Sequence, residues 1–257
     1  MANVRNLGTG VREFAETTQH LLNKTICDHA LVSGVVDRDG TRAFVGTHID
    51  RFSFQSSPAR LRSKAKTPLW LDFSCHLMID EGEGLFLAVQ SSFFGVSVGR
   101  QDDRRPILHY DFERGKDRYT EAHLQVHGRH KELEEYALDI GAKDRLAKYH
   151  LPVGGRRFRP CIEDVIEFLV AERLVDPKSG WDDVLECERK TYRMKQIAAV
   201  VRKNPGTAIN ELERLGYRMA PPTDPTLIEK IKYLARPTPK ARKDEDVAKT
   251  GTRTKRR

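Results

Sequence analysis

From Leu69 to Ile79 the chain alternates without a break, with Leu69, Leu71, Phe73, Cys75, Leu77 and Ile79 on one side and Trp70, Asp72, Ser74, His76 and Met78 on the other. A period of two places successive side chains on opposite faces, so this stretch can only bury its apolar set as a half-buried antiparallel strand. Its neighbours follow the same pattern. Asp80-Glu81-Gly82-Glu83-Gly84 is a turn into a strand from Leu85 to Ser91, with a bend near Gly95 before Val96 and Val98. Upstream, a strand from His29 to Val36 meets the hairpin turn Asp37-Arg38-Asp39-Gly40 and returns through Thr41 to Thr47, followed by Phe52 to Gln55. Strands following one another through hairpins, with no intervening helices, exclude the βαβ rhythm of a parallel sheet. The expected fold is therefore α+β: an antiparallel meander of about six strands with C-terminal helices packed on one face.

Two further runs complete the sheet and carry its polar chemistry. Pro106 to Phe112 puts Leu108, Tyr110 and Phe112 on one face and His109 and Asp111 on the other. Glu121 to His127 puts Ala122, Leu124 and Val126 on one face and His123, Gln125 and His127 on the other. If both apolar sets share a face, one register sets Asp111 across from His123 and His109 across from Gln125. The opposite face then holds His109, Asp111, His123, Gln125 and His127 as one constellation.

The period changes to helical elsewhere. Val11 to Leu22 opens the chain as a helix, and Lys131 to Ile140 is a short polar one. After an extended piece, Tyr149 to Val153, and a turn at Gly154-Gly155, Pro160 is expected as the first residue of a helix continuing from Cys161 to Leu174. Ile162, Val165, Ile166 and Leu169 form its packing stripe. Asp182 to Lys203, Gly206 to Leu215 and Thr226 to Ala235 complete the helices. Lys190, Arg193, Lys195, Arg202 and Lys203 interleave with apolar positions as in a helix-turn-helix, but Glu186, Glu188, Glu211 and Glu213 dilute the basic face, which favours an ordinary helical cap. The domain reading is a sheet domain with its packing helix over 1–175, a helical extension over 176–236 and a disordered basic tail over 237–257.

The net charge of +8 is unevenly placed, because from Arg236 onward nine Lys or Arg face only three acids. Most of the basic character belongs to the tail, including Lys240, Arg242, Lys243, Arg253, Lys255, Arg256 and Arg257, and not to the body. The one dense basic cluster in the first half is the loop Arg60-Leu61-Arg62-Ser63-Lys64-Ala65-Lys66. Cys27, Cys75, Cys161 and Cys187 form no CxxC pair, so they read as buried reduced thiols, neither a zinc site nor a disulfide framework. No apolar run is long enough to span a bilayer and the first ten residues lack a hydrophobic signal core, so a cytoplasmic protein without membrane contact is expected.

Histidines titrate near neutrality and so suit metal binding or acid and base steps in phosphodiester cleavage. His123 and His127 lie four residues apart on a strand, about 13 Å, too far for one metal ion to bridge. The candidate catalytic set is therefore His109, Asp111, His123 and His127, with no metal and no cofactor. Arg156, Arg157 and Arg159 precede a helix N-terminus, where guanidinium groups and unpaired N–H groups together suit a phosphate. Glu163 and Asp164 in the first helical turn are the competing partners for those arginines.

The order of a strand like Leu108-His109-Tyr110-Asp111, a strand like His123-Leu124-Gln125-Val126-His127, a turn like Leu151-Pro152 and a helix like Glu163 to Leu169 resembles uncharacterised bacterial proteins encoded near mobile elements, including proposed toxins of toxin–antitoxin pairs. The resemblance covers about a quarter of the chain and implies an accessory or defence-type role. The expected function is a nucleic-acid-associated protein binding through its tail and arginine-rich turn. The alternatives are a metal-independent ribonuclease-like toxin using the histidines and a structural subunit completed by protein partners.

Overall fold

A computed structural model describes residues 7–50, 55–80, 86–140, 146–218 and 220, leaving aside the side chains of residues 86, 147, 156 and 157. Contacts divide the chain into two units, Met1–Arg193 and Met194–Arg257. The first unit contains an antiparallel sheet built from β1 (Val32–Val36), β2 (Arg42–Thr47), β3 (Ala59–Arg60), β4 (Leu69–Asp80), β5 (Phe86–Val98), β6 (Arg105–Glu113), β7 (Ala122–Val126) and β8 (Leu151–Pro152). Its order is β1-β2-β4-β5-β6-β7-β8, with β3 paired to β4. The fold is thus the α+β meander expected. The strands beyond the six anticipated are the two-residue β3 and β8, too short to show a period.

β5 departs from the expected outline. It runs unbroken from Phe86 to Val98, and the irregularity is a bulge, because His76 pairs with Ser91 while Leu77 pairs with Val89, leaving Gln90 as the extra residue. A bulge reverses the parity of a strand. Leu87 and Val89 before it and Phe94 and Val96 after it consequently all pack in the core, although their sequence spacing is out of phase. A second bulge, at Ile107, lets both Ile107 and Leu108 meet the core.

The core lies on the apolar face of the sheet around Val45, Leu71, Phe73, Leu77 and Val96. Helix α4 (Ile162–Ala171) covers it through Val165, Ile166 and Leu169, as the stripe indicated. The sequence-based expectation assigned this cover to the helices from Cys161 onward; α1 (Leu7–Thr25) shares it, burying Leu7, Val11, Ala15, Leu21 and Leu22. Gly34 of β1 makes this approach possible, since a Cβ there would collide with a Val11 methyl. Side chains lock the junction. Gln19 accepts from the Val32 N–H at 2.9 Å, and Asn23 both accepts from and donates to the Ala30 backbone at 2.8 Å.

The remaining helices are α2 (Lys131–Asp139), α3 (Gly155–Phe158), α5 (Trp181–Lys203) and α6 (Pro205–Arg214). The Gly154-Gly155 turn forms with both residues left-handed, φ 69° and 64°. Pro160 is not the first helical residue: it precedes the cap Cys161, and α4 starts at Ile162. Asp164 explains the shift, because its carboxylate accepts from the Cys161 N–H at 2.9 Å and closes the cap from inside. The cysteines are all free; Cys27, Cys75 and Cys161 are buried as expected, whereas Cys187, expected to be buried too, is exposed on α5. In the second unit, α5 ends and α6 begins at Asn204-Pro205, with Gly216 at φ 91° after α6. The helix read at Thr226 to Ala235 and the whole basic tail lie outside the described residues.

Candidate functional site: the histidine face of β6 and β7

The register of β6 and β7 pairs Asp111 with His123 and His109 with Gln125, the alignment that shared apolar faces required. His109, Asp111, His123, Gln125 and His127 therefore lie on the face opposite Tyr110 and Phe112. Within it the groups divide into an accessible pair and a covered histidine.

The accessible pair is His109 with His127, both half-buried. His109 Nε2 lies 2.7 Å from Gln125 Oε1, and its Nδ1 lies 3.0 Å from His127 Nε2. An amide oxygen only accepts, so His109 donates from Nε2 and its Nδ1 is a lone pair. That lone pair accepts from His127 Nε2–H, which leaves His127 Nδ1 as the lone pair at the end of the chain. Burial holds the His109 pKa below the usual imidazole value and so favours the neutral ring this chain needs, while the Gln125 hydrogen bond acts in the opposite direction. Phe93 packs on the His109 ring at 5.1 Å between centroids. Phe93 is itself seated over Gly95, where a Cβ would stand 2.6 Å from its ring edge. Gly95 pairs directly with His109, so the missing side chain provides the space that fixes the imidazole from below.

His123 is only 1 % exposed. Its Nδ1 donates to the Thr120 carbonyl at 3.3 Å, while Nε2 lies 3.8 Å from Asp111, beyond hydrogen-bonding distance. Tyr119 and His150 cover it, with ring centroids at 5.0 and 4.6 Å, and stack on each other at 4.0 Å. Lys116 lies 5.1 Å over the Tyr119 ring and pairs with Glu113 at 2.6 Å. Sequence reasoning singled out Tyr119 only as a possible stacking partner for a base and placed neither it nor His150 against His123. Both sit in connections outside the alternating runs, and the only signal for His150 was its place beside the Leu151-Pro152 strand that pairs with His123.

Of the three arginines before α4, only the Arg159 side chain is described, and it does not join the histidines. Arg156 and Arg157 belong to the one-turn α3, and their side chains lie outside the described part of the structure. The Arg159 guanidinium lies 4.1 Å over the ring of Phe112, which is on the other face of β6 from His109 and Asp111. The acids of α4 look to α5 for partners. Asp164 accepts from Arg193 at 2.7 Å and lies 3.6 Å from Arg189, and it also closes the α4 cap. Burial raises the Glu163 carboxyl pKa, and that side chain is 5 % exposed. The tail residues Lys240, Arg242, Lys243, Arg253, Lys255, Arg256 and Arg257 lie outside the described residues.

Among the described residues no group of three or more His, Cys, Asp or Glu is arranged to hold a metal ion. No described helix is long and apolar enough to cross a membrane. Compared with known proteins, the chain matches no family model, no curated protein and no solved structure.

Proposed function

We propose that the chain is a nucleic-acid-associated protein of accessory or defence type, with its reactive chemistry on the histidine face. The supporting observation is the ordered chain from Gln125 through His109 to His127, which ends in an imidazole lone pair at a half-buried position. A neutral imidazole held in one tautomer is the group needed to take a proton from a ribose 2′-hydroxyl. In this reading His127 Nδ1 removes that proton, the 2′-oxygen bonds to the adjacent phosphorus, and the 5′-oxygen leaves with a proton from water. His127 is the catalytic residue; His109 and Gln125 position it, and the covered His123 supports the strand pairing beneath. The reaction consumes no cofactor.

The test uses the full chain with a single-stranded RNA and its deoxy counterpart. Cleavage of the RNA alone is expected, and His127→Ala should slow it by about 100-fold or more, the usual contribution of a general base. Gln125→Glu should shift the acidic limb of the pH–rate profile while leaving the products unchanged. An unaffected His127→Ala variant sinks the catalytic assignment.

A further inference from the structure

We infer that a second site, remote in sequence from the histidine face, binds the backbone and a base of single-stranded nucleic acid: the basic cleft along β3, beside Trp70. This inference takes the nucleic-acid reading as its premise but not the catalytic one.

The cleft has a volume of about 830 Å³ and is lined by the basic loop after β3, by the α1–β1 connection and by the end of β2. That size lies within the roughly 300–1,000 Å³ typical of ligand sites. Its charges divide into fixed and available. Asp28 accepts from Arg62 at 2.5 Å and lies 3.2 Å from Lys178, and Arg62 also donates to the Asp176 carbonyl at 3.2 Å. These contacts tie the loop to the body and neutralise the carboxylate. Lys64 reaches Asp176 only at 3.6 Å and its side chain is 92 % exposed. Arg60, exposed on β3, makes no ion pair or hydrogen bond among the described residues. Four cations thus face two carboxylates: Arg60 has no ionic partner among the described residues, and Lys64 holds only a long, exposed one.

An aromatic surface accompanies the free charge. Arg60 pairs directly with Trp70 across the β3–β4 ladder, which places guanidinium and indole side by side on one face. The indole is fixed, because Nε1 donates to the Gly99 carbonyl at 2.8 Å and Arg104 lies 5.4 Å over the ring. A rigid aromatic plane next to an unpaired arginine is the combination that holds a base by stacking and its phosphate by a guanidinium fork. His29 and His48 complete the wall. His48 has φ 45°, in the left-handed region that few non-glycine residues adopt and that histidine tolerates better than most, and its N–H donates to the Leu31 carbonyl at 2.9 Å. A backbone of this kind is kept where surrounding structure imposes it, and His48 lines the cleft.

The test is fluorescence anisotropy of a labelled oligothymidine, which lacks the 2′-hydroxyl and so reports binding without cleavage. The full-length wild type should bind it. The double variant Arg60→Glu/Lys64→Glu should bind at least tenfold more weakly at 0.1 M salt, and its log Kd against log salt slope should fall by about 1.4, the loss of two phosphate contacts on a single strand. Thermal melting should be little changed, because neither side chain anchors the loop. In a Trp181→Phe background Trp70 is the remaining tryptophan of the two in the chain, and its fluorescence should be quenched by the oligonucleotide. His48→Gly, which relieves the backbone, should melt no lower than wild type yet bind more weakly. Equal affinity and slope for wild type and double variant would overturn the cleft while leaving the nucleic-acid reading in place. Absence of wild-type binding to both oligothymidine and oligouridine would remove both. Displacement by polyglutamate as effective as by nucleic acid would also overturn the assignment, since the cleft would then recognise charge alone.

Discussion

His109 couples the histidine face to the stability of the protein. Burial is the first cause of its lowered pKa, and His127 and His123 add to it, while Gln125 and Asp111 oppose it. His76, in contact with Phe44 at 4.9 Å between ring centroids, is lowered by burial in the same sense. The sign follows from linkage. Above the ordinary imidazole value of about 6.5 neither the folded nor the unfolded chain holds the extra proton, so nothing is lost. As pH falls below that value the unfolded chain takes up protons that the folded chain still refuses, and stability declines until the folded pKa values are passed. The urea midpoint should therefore fall between pH 7 and pH 5.5, and His109→Gln should lose less over that interval than wild type. An equal fall in the variant would assign the whole dependence to other groups, His76 first among them. The same neutrality keeps the His109 lone pair available to His127 just below neutral pH, so the His109–His127 contact and the stability profile share one cause.

At the scale of elements, the sheet was legible in the sequence wherever one face was apolar and the strand unbroken. β4 and the β6–β7 register follow from alternation alone, because a slip by one residue would turn Tyr110 and Leu124 to the wrong face. β5 was not legible to its end. The Gln90 bulge changes its parity, so a continuous strand reads as one that stops at Ser91. The histidine contacts were half legible: the direct pairs follow from register, but the 3.0 Å contact of His109 with His127 is diagonal and depends on side-chain direction. The position of Arg159 over Phe112 is tertiary and leaves no local signal. The role of α1 was missed for a related reason, since its closest approach to the sheet is over a glycine, a residue with no apolar side chain to signal it. Gly34 should accordingly behave as half of a pair with Val11. Gly34→Ala alone forces the methyl against Val11 in a packed core, where overpacking costs about 1–3 kcal/mol. Val11→Ala alone leaves a small cavity. Combined, the two should recover most of the loss, giving a coupling energy of about 1 kcal/mol or more in a double-mutant cycle. Additive losses would mean that α1 does not rest on Gly34.

For the whole molecule, the charge distribution separates two contributions to the proposed nucleic-acid binding that a single affinity would merge. Of the +8 total, the segment from Thr238 to Arg257 carries eight Lys or Arg and three acids, so its removal leaves a body of about +3. A sequence-independent tail acts by counterion release, and its contribution must weaken steeply with salt. The cleft proposed beside Trp70, where Arg60 pairs with the fixed indole, would combine a few phosphate contacts with stacking, which salt screens far less. Truncation after Pro237 should thus weaken binding strongly at 0.05 M salt and only slightly at 0.3 M, while Trp70→Ala should weaken it by a similar factor at both. Anisotropy titrations of wild type, truncation and Trp70→Ala across that range distinguish the two. If the truncated protein keeps the wild-type salt slope, the tail takes no part in binding and the +3 body carries the interface. If Trp70→Ala follows the truncation's salt profile, no stacked base is present and association is purely electrostatic. Parallel profiles for the wild type and Trp70→Ala, displaced by a constant factor, are the outcome that joins a general basic tail to a built groove on the sheet edge.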